Sequence, residues 1–208
     1  MKSFIRFIVF SNIWVAFCVV ALCLSSEVLL STSNYKISQF VFFATIFIYN
    51  FQRVVRIEKG LNHVRKLWLV NQKIAIYVLM ACGGLISVYC FFEFKLITQI
   101  FIVFVGTISF LYPFRLRKIP FSKIFIISFV WTVSTMLLLL LENDIAISVN
   151  IILHLLSRFL FVFAITIPFD IRDLKYDVQN LQTIPLFFGI LKARFISFFA
   201  LFICLIIS

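Results

Sequence analysis

Residues 124 to 141 read Ile124-Phe-Ile-Ile-Ser-Phe-Val-Trp-Thr-Val-Ser-Thr-Met-Leu-Leu-Leu-Leu-Leu141, eighteen positions without a charge. As a helix this run rises about 27 Å, close to the roughly 30 Å hydrocarbon core of a bilayer. Comparable runs with no charge or almost none lie on either side, at 7 to 24, 37 to 52, 74 to 92, 96 to 114, 145 to 169 and 195 to 208. Seven such runs predict an all-α, multi-pass transmembrane helical bundle of about seven helices, with 1–208 as a single domain.

Composition leaves little alternative. Of 208 residues, 63% are hydrophobic, 13% are charged and 29 are phenylalanine, with a mean hydropathy of +1.14. A water-soluble domain could not hide that much apolar surface, whereas lipid accepts it. Lys2 and Arg6 precede an apolar run that lacks a small-residue cleavage site, so the first segment is expected to be a retained helix. The last run, 195 to 208, spans only about 21 Å as a helix. Either its helix begins just after Pro185 and carries Lys192 and Arg194 near the interface, or the chain is C-terminally short of a longer relative.

The net charge of +11 could suggest a nucleic-acid partner, but its distribution follows the membrane. Sixteen of the nineteen cations lie in four stretches: Lys2 and Arg6, Arg53 to Lys73, Arg115 to Lys123, and Arg172 to Arg194. The alternate turns hold Glu27 and Lys36, Glu93 and Lys95, and Glu142 and Asp144. By the positive-inside rule the N-terminus and the three basic loops are expected in the cytoplasm, with the chain in the cell membrane. The lipid bilayer is the expected partner, and nucleic acid is not.

Outside the basic loops, Arg158 lies mid-run with His154 one turn before it, and an intramembrane Arg faces a bundle interior, a ligand or a helix neighbour. Gly83-Gly84 and Gly106 suggest close helix packing. Cys18, Cys23, Cys82, Cys90 and Cys204 are scattered through apolar runs, with no pairing or metal-ligand spacing, and read as small buried hydrophobes.

The most polar stretch is Pro168-Phe-Asp170-Ile-Arg172-Asp173-Leu-Lys175-Tyr-Asp177-Val-Gln-Asn-Leu-Gln-Thr183-Ile-Pro185. At about 100° per residue, Asp170, Asp173 and Asp177 fall within roughly 60° of one helix face. Clustered carboxylates repel unless positive charge lies between them. Two sources are open: a hard divalent cation such as Mg²⁺, or the neighbouring Arg172 and Lys175.

The order Asp170, Asp173, Asp177, Thr183, Pro185 resembles the second aspartate-rich motif of the UbiA superfamily of intramembrane prenyltransferases, D-x2-D-x3-D followed by T-x-P. The stretch Tyr112-Pro113-Phe114-Arg115-Leu116-Arg117-Lys118 is similar to that family's Y-P-x-x-K-R element. The CDP-alcohol phosphotransferases, another membrane family with clustered aspartates, carry glycine and arginine signatures that are missing here. The resemblance implies a helical bundle around a central cavity and transfer of an isoprenyl group from an isoprenyl diphosphate donor to a lipid-soluble acceptor, aromatic or otherwise. It further implies Mg²⁺ held by Asp170, Asp173, Asp177 and Glu58, with Asn50, Arg53, Arg56, Arg117 and Lys118 binding the donor. The family's first motif, N-x3-D-x3-D, corresponds to Asn50, Val54 and Glu58, so one carboxylate position is apolar. Arg53 and Arg56 could then meet phosphate charge directly. The alternative is a non-catalytic UbiA-like protein that binds a lipid or a partner, and a small carrier or channel using Arg158 and His154 is a third reading.

Overall fold

Lipid offers no partner to backbone N–H and C=O groups, so each apolar run must satisfy them within itself, and each forms a helix. A computed structural model describes residues 2–33, 35–58, 66–177 and 182–207. In chain order the helices are α1 (Lys2–Phe10), α2 (Ile13–Leu29), α3 (Lys36–Glu58), α4 (Lys66–Asn71), α5 (Lys73–Phe91) and α6 (Leu96–Leu111). A 3-10 turn at Leu116–Lys118 precedes α7 (Ser122–Thr132), which continues through a π turn (Val133–Leu137) into α8 (Leu138–Glu142). Then come α9 (Val149–Asp177), α10 (Ile184–Phe188) and α11 (Ile190–Ile207).

Five helices are long and apolar enough to cross a membrane: Lys36–Glu58, Lys73–Phe91, Ser122–Glu142, Val149–Leu174 and Ile190–Ile207. The first run is long and apolar enough for a sixth only if its two helices count as one span, since Phe4–Phe10 and Ile13–Leu29 meet at 64°. At the break Asn12 adopts a left-handed φ of 65°. The fourth run, α6, has 16 residues and spans only about 24 Å. All seven apolar runs are therefore helical, and among the described residues five of them are full-length spans. The last helix begins at Ile190, after Gly189 turns the chain at φ 83°. It carries Lys192 and Arg194, but it starts five residues after Pro185, which lies in the separate short helix α10.

Two apolar clusters hold the bundle. Val19 and Cys23 of α2 pack with Ile37, Phe40 and Val41 of α3, with Ile102 and Val105 of α6, and with Val133, Leu138 and Leu139. Ile124 of α7 meets Ile167 of α9, Ile184 of α10 and Ala193 of α11. Gly83 lets α5 approach α3 closely, since a Cβ there would sit 2.9 Å from the Phe43 carbonyl oxygen. Gly106 does not serve packing as expected: a Cβ there would meet nothing within 4 Å. Arg158 resolves toward a helix neighbour, donating from Nη2 to Ser25 Oγ and Ser26 Oγ, both at 2.9 Å.

The bundle has two chemically distinct ends. At one, Lys36 pairs with Glu93 at 3.2 Å and Lys95 with Asp144, tying α3, α5, α6 and α8 through their turns. At the other lie the C-terminal ends of α3, α6 and α9 together with the first turn of α7. Arg56, Arg117, Lys123 and Arg172 belong to these segments, which form a basic pole.

Candidate functional site at the basic pole

The site begins with α9. Its last turns bring Asp170 inward, 1% exposed, and on to Lys123 of the first turn of α7, whose Nζ lies 2.7 Å from Asp170 Oδ1. This pairing follows from the packing of α7 on α9, where Ile124 sits against Ile167 one turn below. Asp173 is closer to the surface and receives Arg172 in a two-pronged contact, Nε to Oδ1 at 2.7 Å and Nη2 to Oδ2 at 3.1 Å. Arg172 in turn lies over the Phe169 ring at 5.2 Å.

The segment after α6 completes the pole. Tyr112 is buried, and its phenol lies within electrostatic reach of Arg117, Lys123, Arg56 and Asp170. The segment is fastened from three directions. Arg117 N–H donates to the Tyr112 carbonyl at 3.0 Å, Ser122 Oγ donates to the Leu116 carbonyl at 2.6 Å, and Phe121 N–H donates to the Gln182 carbonyl at 2.9 Å. Charged groups of α3, of the segment after α6, of α7 and of α9 thus all act on the Tyr112 phenol.

Below Tyr112 a cavity of about 260 Å³ runs into the apolar bundle. Its wall includes Phe40, Phe47, Phe110 and Trp131, and Gly106 opens one side. Two polar groups are fixed within it: Tyr49 Oη accepts from Trp131 Nε1 at 2.8 Å, and Gln52 Nε2 donates to the Ser109 carbonyl at 2.7 Å. Trp131 and Ser134 flank the start of the π turn, where an extra residue per turn changes which side chains face the cavity. Tyr112 itself lines the cavity, and so joins the apolar chamber to the charged pole.

The first-motif residues are arranged differently from the expectation. Asn50 is fully buried and donates to the carbonyls of Ser11, at 2.8 Å, and Ile46, at 2.9 Å, while its Oδ1 accepts from Asn12 Nδ2 at 2.8 Å. Arg53 Nη1 donates to the Phe10 carbonyl at 2.8 Å. Both therefore satisfy backbone groups exposed by the break between α1 and α2, as helix ends require. Arg56, one turn further, acts electrostatically on the Tyr112 phenol. Glu58 is exposed at the end of α3, and Val54 is half-buried. The side chains of Lys118 and Asp177 lie outside the described residues.

The donor set can be weighed for a divalent cation. Asp170 is taken by the Lys123 ammonium and Asp173 by the Arg172 guanidinium. No group of three His, Cys, Asp or Glu residues that could hold a metal ion occurs among the described residues. Asp170 and Asp173 thus each face a cation, and of the two cations named from sequence Arg172 does so.

Reasoning from sequence missed Lys123, Tyr49, Gln52 and Trp131. The available signal was polar residues recurring inside apolar runs, as in Tyr49-Asn50-Phe51-Gln52. No family model matches the chain, and neither a curated protein nor a solved structure matches it.

Proposed function

We propose that this membrane protein is an intramembrane prenyltransferase that moves an isoprenyl group from an isoprenyl diphosphate to a lipid-soluble acceptor, in the manner of the UbiA enzymes its motifs resemble. The observation that carries the reading is the junction at Tyr112, which belongs both to the charged cluster and to the wall of the apolar chamber. A donor with an anionic head and a hydrocarbon tail is a two-part ligand of that kind. Arg56 and Arg117 supply positive charge where a departing diphosphate gathers negative charge, and such preorganised charge lowers the barrier. Phenylalanine and tryptophan faces in the chamber suit the tail, exclude water and favour an allylic cation. An acceptor entering the chamber would be oriented by the Tyr49 and Gln52 polar groups.

Mg²⁺ assistance, which the resemblance implies, would require Asp170 and Asp173 to exchange their present cations for the metal. The basic pole is proposed to face the cytoplasm of the cell membrane, because sixteen of the nineteen cations fall in the N-terminal stretch and the three loops that the positive-inside rule assigns to that side.

A second reading, a non-catalytic protein that binds a lipid, is favoured by one observation. Asn50 and Arg53, the polar residues left in the first motif, serve the α1–α2 break. Incubating membranes that contain the protein with radiolabelled isoprenyl diphosphate, then extracting lipids, separates the two. Label in a new lipid supports transfer, and label recovered only as unreacted donor supports the lipid-binding reading.

A further inference from the structure

A cation with no part in donor binding stands on α9, away from the basic pole. Arg158 is half-buried, and its Nη2 donates to Ser25 Oγ and Ser26 Oγ of α2, both at 2.9 Å. Each hydroxyl donates its own hydrogen to the Leu22 carbonyl, at 2.8 Å from Ser25 and 3.2 Å from Ser26, so toward Arg158 both offer lone pairs. Two hydroxyl dipoles do not neutralise a full charge. The donors on Nε and Nη1 meet no partner among the described residues, and Arg158 forms no ion pair there. Glu27, next to Ser26 in sequence, is buried and turned the other way, toward α3, where Ser38 Oγ donates to its Oε1 at 2.6 Å.

Depth decides what can complete this cation. Along α9, Arg158 lies about 18 Å from Asp170 on the side of the helix N-terminus, and helical side chains lean toward that end, so Arg158 leans away from the basic pole. Its serine partners lie in the last turns of α2, which ends at Leu29, about 5 Å beyond Ser26. The guanidinium therefore sits just beneath the turn between α2 and α3, at a depth from which a long side chain reaches the headgroup layer. Ser25 is exposed, which leaves the seam between α2 and α9 open to lipid. The anion that this layer supplies is phosphate, and arginine presents several N–H donors to phosphate oxygens at once. We infer that the seam between α2 and α9 is a binding site for the phosphate of a phospholipid headgroup in the leaflet opposite the basic pole, with Arg158 as its anchor.

The test uses the full chain purified in detergent and titrated with phosphatidylglycerol, the dissociation constant of the tightest lipid being read from native mass spectra. Arg158→Gln should weaken that lipid about tenfold, the loss of a charge-assisted contact. Arg158→Lys keeps the charge and should stay within about threefold of the parent. Gel filtration reports whether each variant folds. If Arg158→Gln does not, the parent alone decides through a phosphatidylglycerol with a photoreactive group in its headgroup, which should label the peptides that hold Ser25 and Arg158. Equal affinity in the parent and Arg158→Gln, or adducts confined to other helices, overturns the inference and leaves Arg158 as a brace between α2 and α9. Millimolar inorganic phosphate should leave the lipid in place. Displacement by it overturns the lipid assignment, because the site then takes free phosphate.

Discussion

Asn12 Nδ2 donates to Asn50 Oδ1 at 2.8 Å between two fully buried side chains 38 residues apart. Asn50 returns its own amide hydrogens to the Ser11 and Ile46 carbonyls, so one residue of α3 closes the break between α1 and α2. Removing a buried polar partner costs about 1–3 kcal/mol for each group left unsatisfied. Asn50→Ala should therefore lower the midpoint of unfolding in detergent by several degrees and reduce yield. Donor affinity of the folded fraction should change less than about threefold, because the side chain makes no contact that a donor would replace. Unchanged stability with abolished donor binding would reassign Asn50 to the ligand.

Arg53 and Arg56 lie one turn apart and should separate under the same substitution. Arg53→Lys loses the fork that reaches the Phe10 carbonyl and should affect stability alone. Arg56→Lys should weaken farnesyl diphosphate binding about fivefold or more, with little effect on unfolding, because Lys cannot reproduce a two-pronged phosphate contact. Equal behaviour of the two variants would contradict the division.

Gly106 offers a way to fill the chamber from a helix backbone that has room. Because no atom lies within 4 Å of a Cβ built there, Gly106→Ala should fold at least as well as the parent. Gly106→Leu should fold too, while its side chain occupies the 260 Å³ cavity and displaces a hydrocarbon tail. Binding of farnesyl diphosphate should fall about tenfold with Leu and change little with Ala. At Gly83 the outcome differs: the 2.9 Å approach to the Phe43 carbonyl means that even Ala forces α5 away from α3. That overpacking costs typically about 1–3 kcal/mol, visible as a lowered unfolding midpoint.

Orientation is checked by labelling in a background with the five native cysteines replaced. A membrane-impermeant maleimide applied to intact cells should modify Asn143→Cys and spare Lys118→Cys, which reacts only after permeabilisation. The reverse pattern would place the basic pole outside.

The helices were legible because a long uncharged run in lipid has only one way to satisfy its backbone, so all seven runs could be marked from hydropathy. Their interruptions were not. The bend at Asn12 and the π turn after Thr132 fall inside apolar sequence, where neither composition nor periodicity changes. Part of the site was also legible. The placing of Asp170 beside the segment around Arg117 followed from two motifs at one side of the membrane. Its pairing with Lys123 did not, since it depends on how α7 packs on α9 across a separation of 47 positions. Asn50 shows the remaining ambiguity, because a polar residue in an apolar helix can serve a ligand or another helix, and only its three partners decide which.

In the proposed function the chamber beneath Tyr112 receives the donor's hydrocarbon tail while its head stays at the basic pole. A farnesyl diphosphate analogue carrying a photoreactive group at the far end of the tail tests it directly, with adducts located by peptide mass spectrometry. The account predicts adducts on α3 and α6 at chamber positions such as Phe47, Ile102 and Gly106, competed away by unmodified donor. Adducts confined to lipid-facing positions such as Val88 or Phe198, or insensitive to competition, would contradict it.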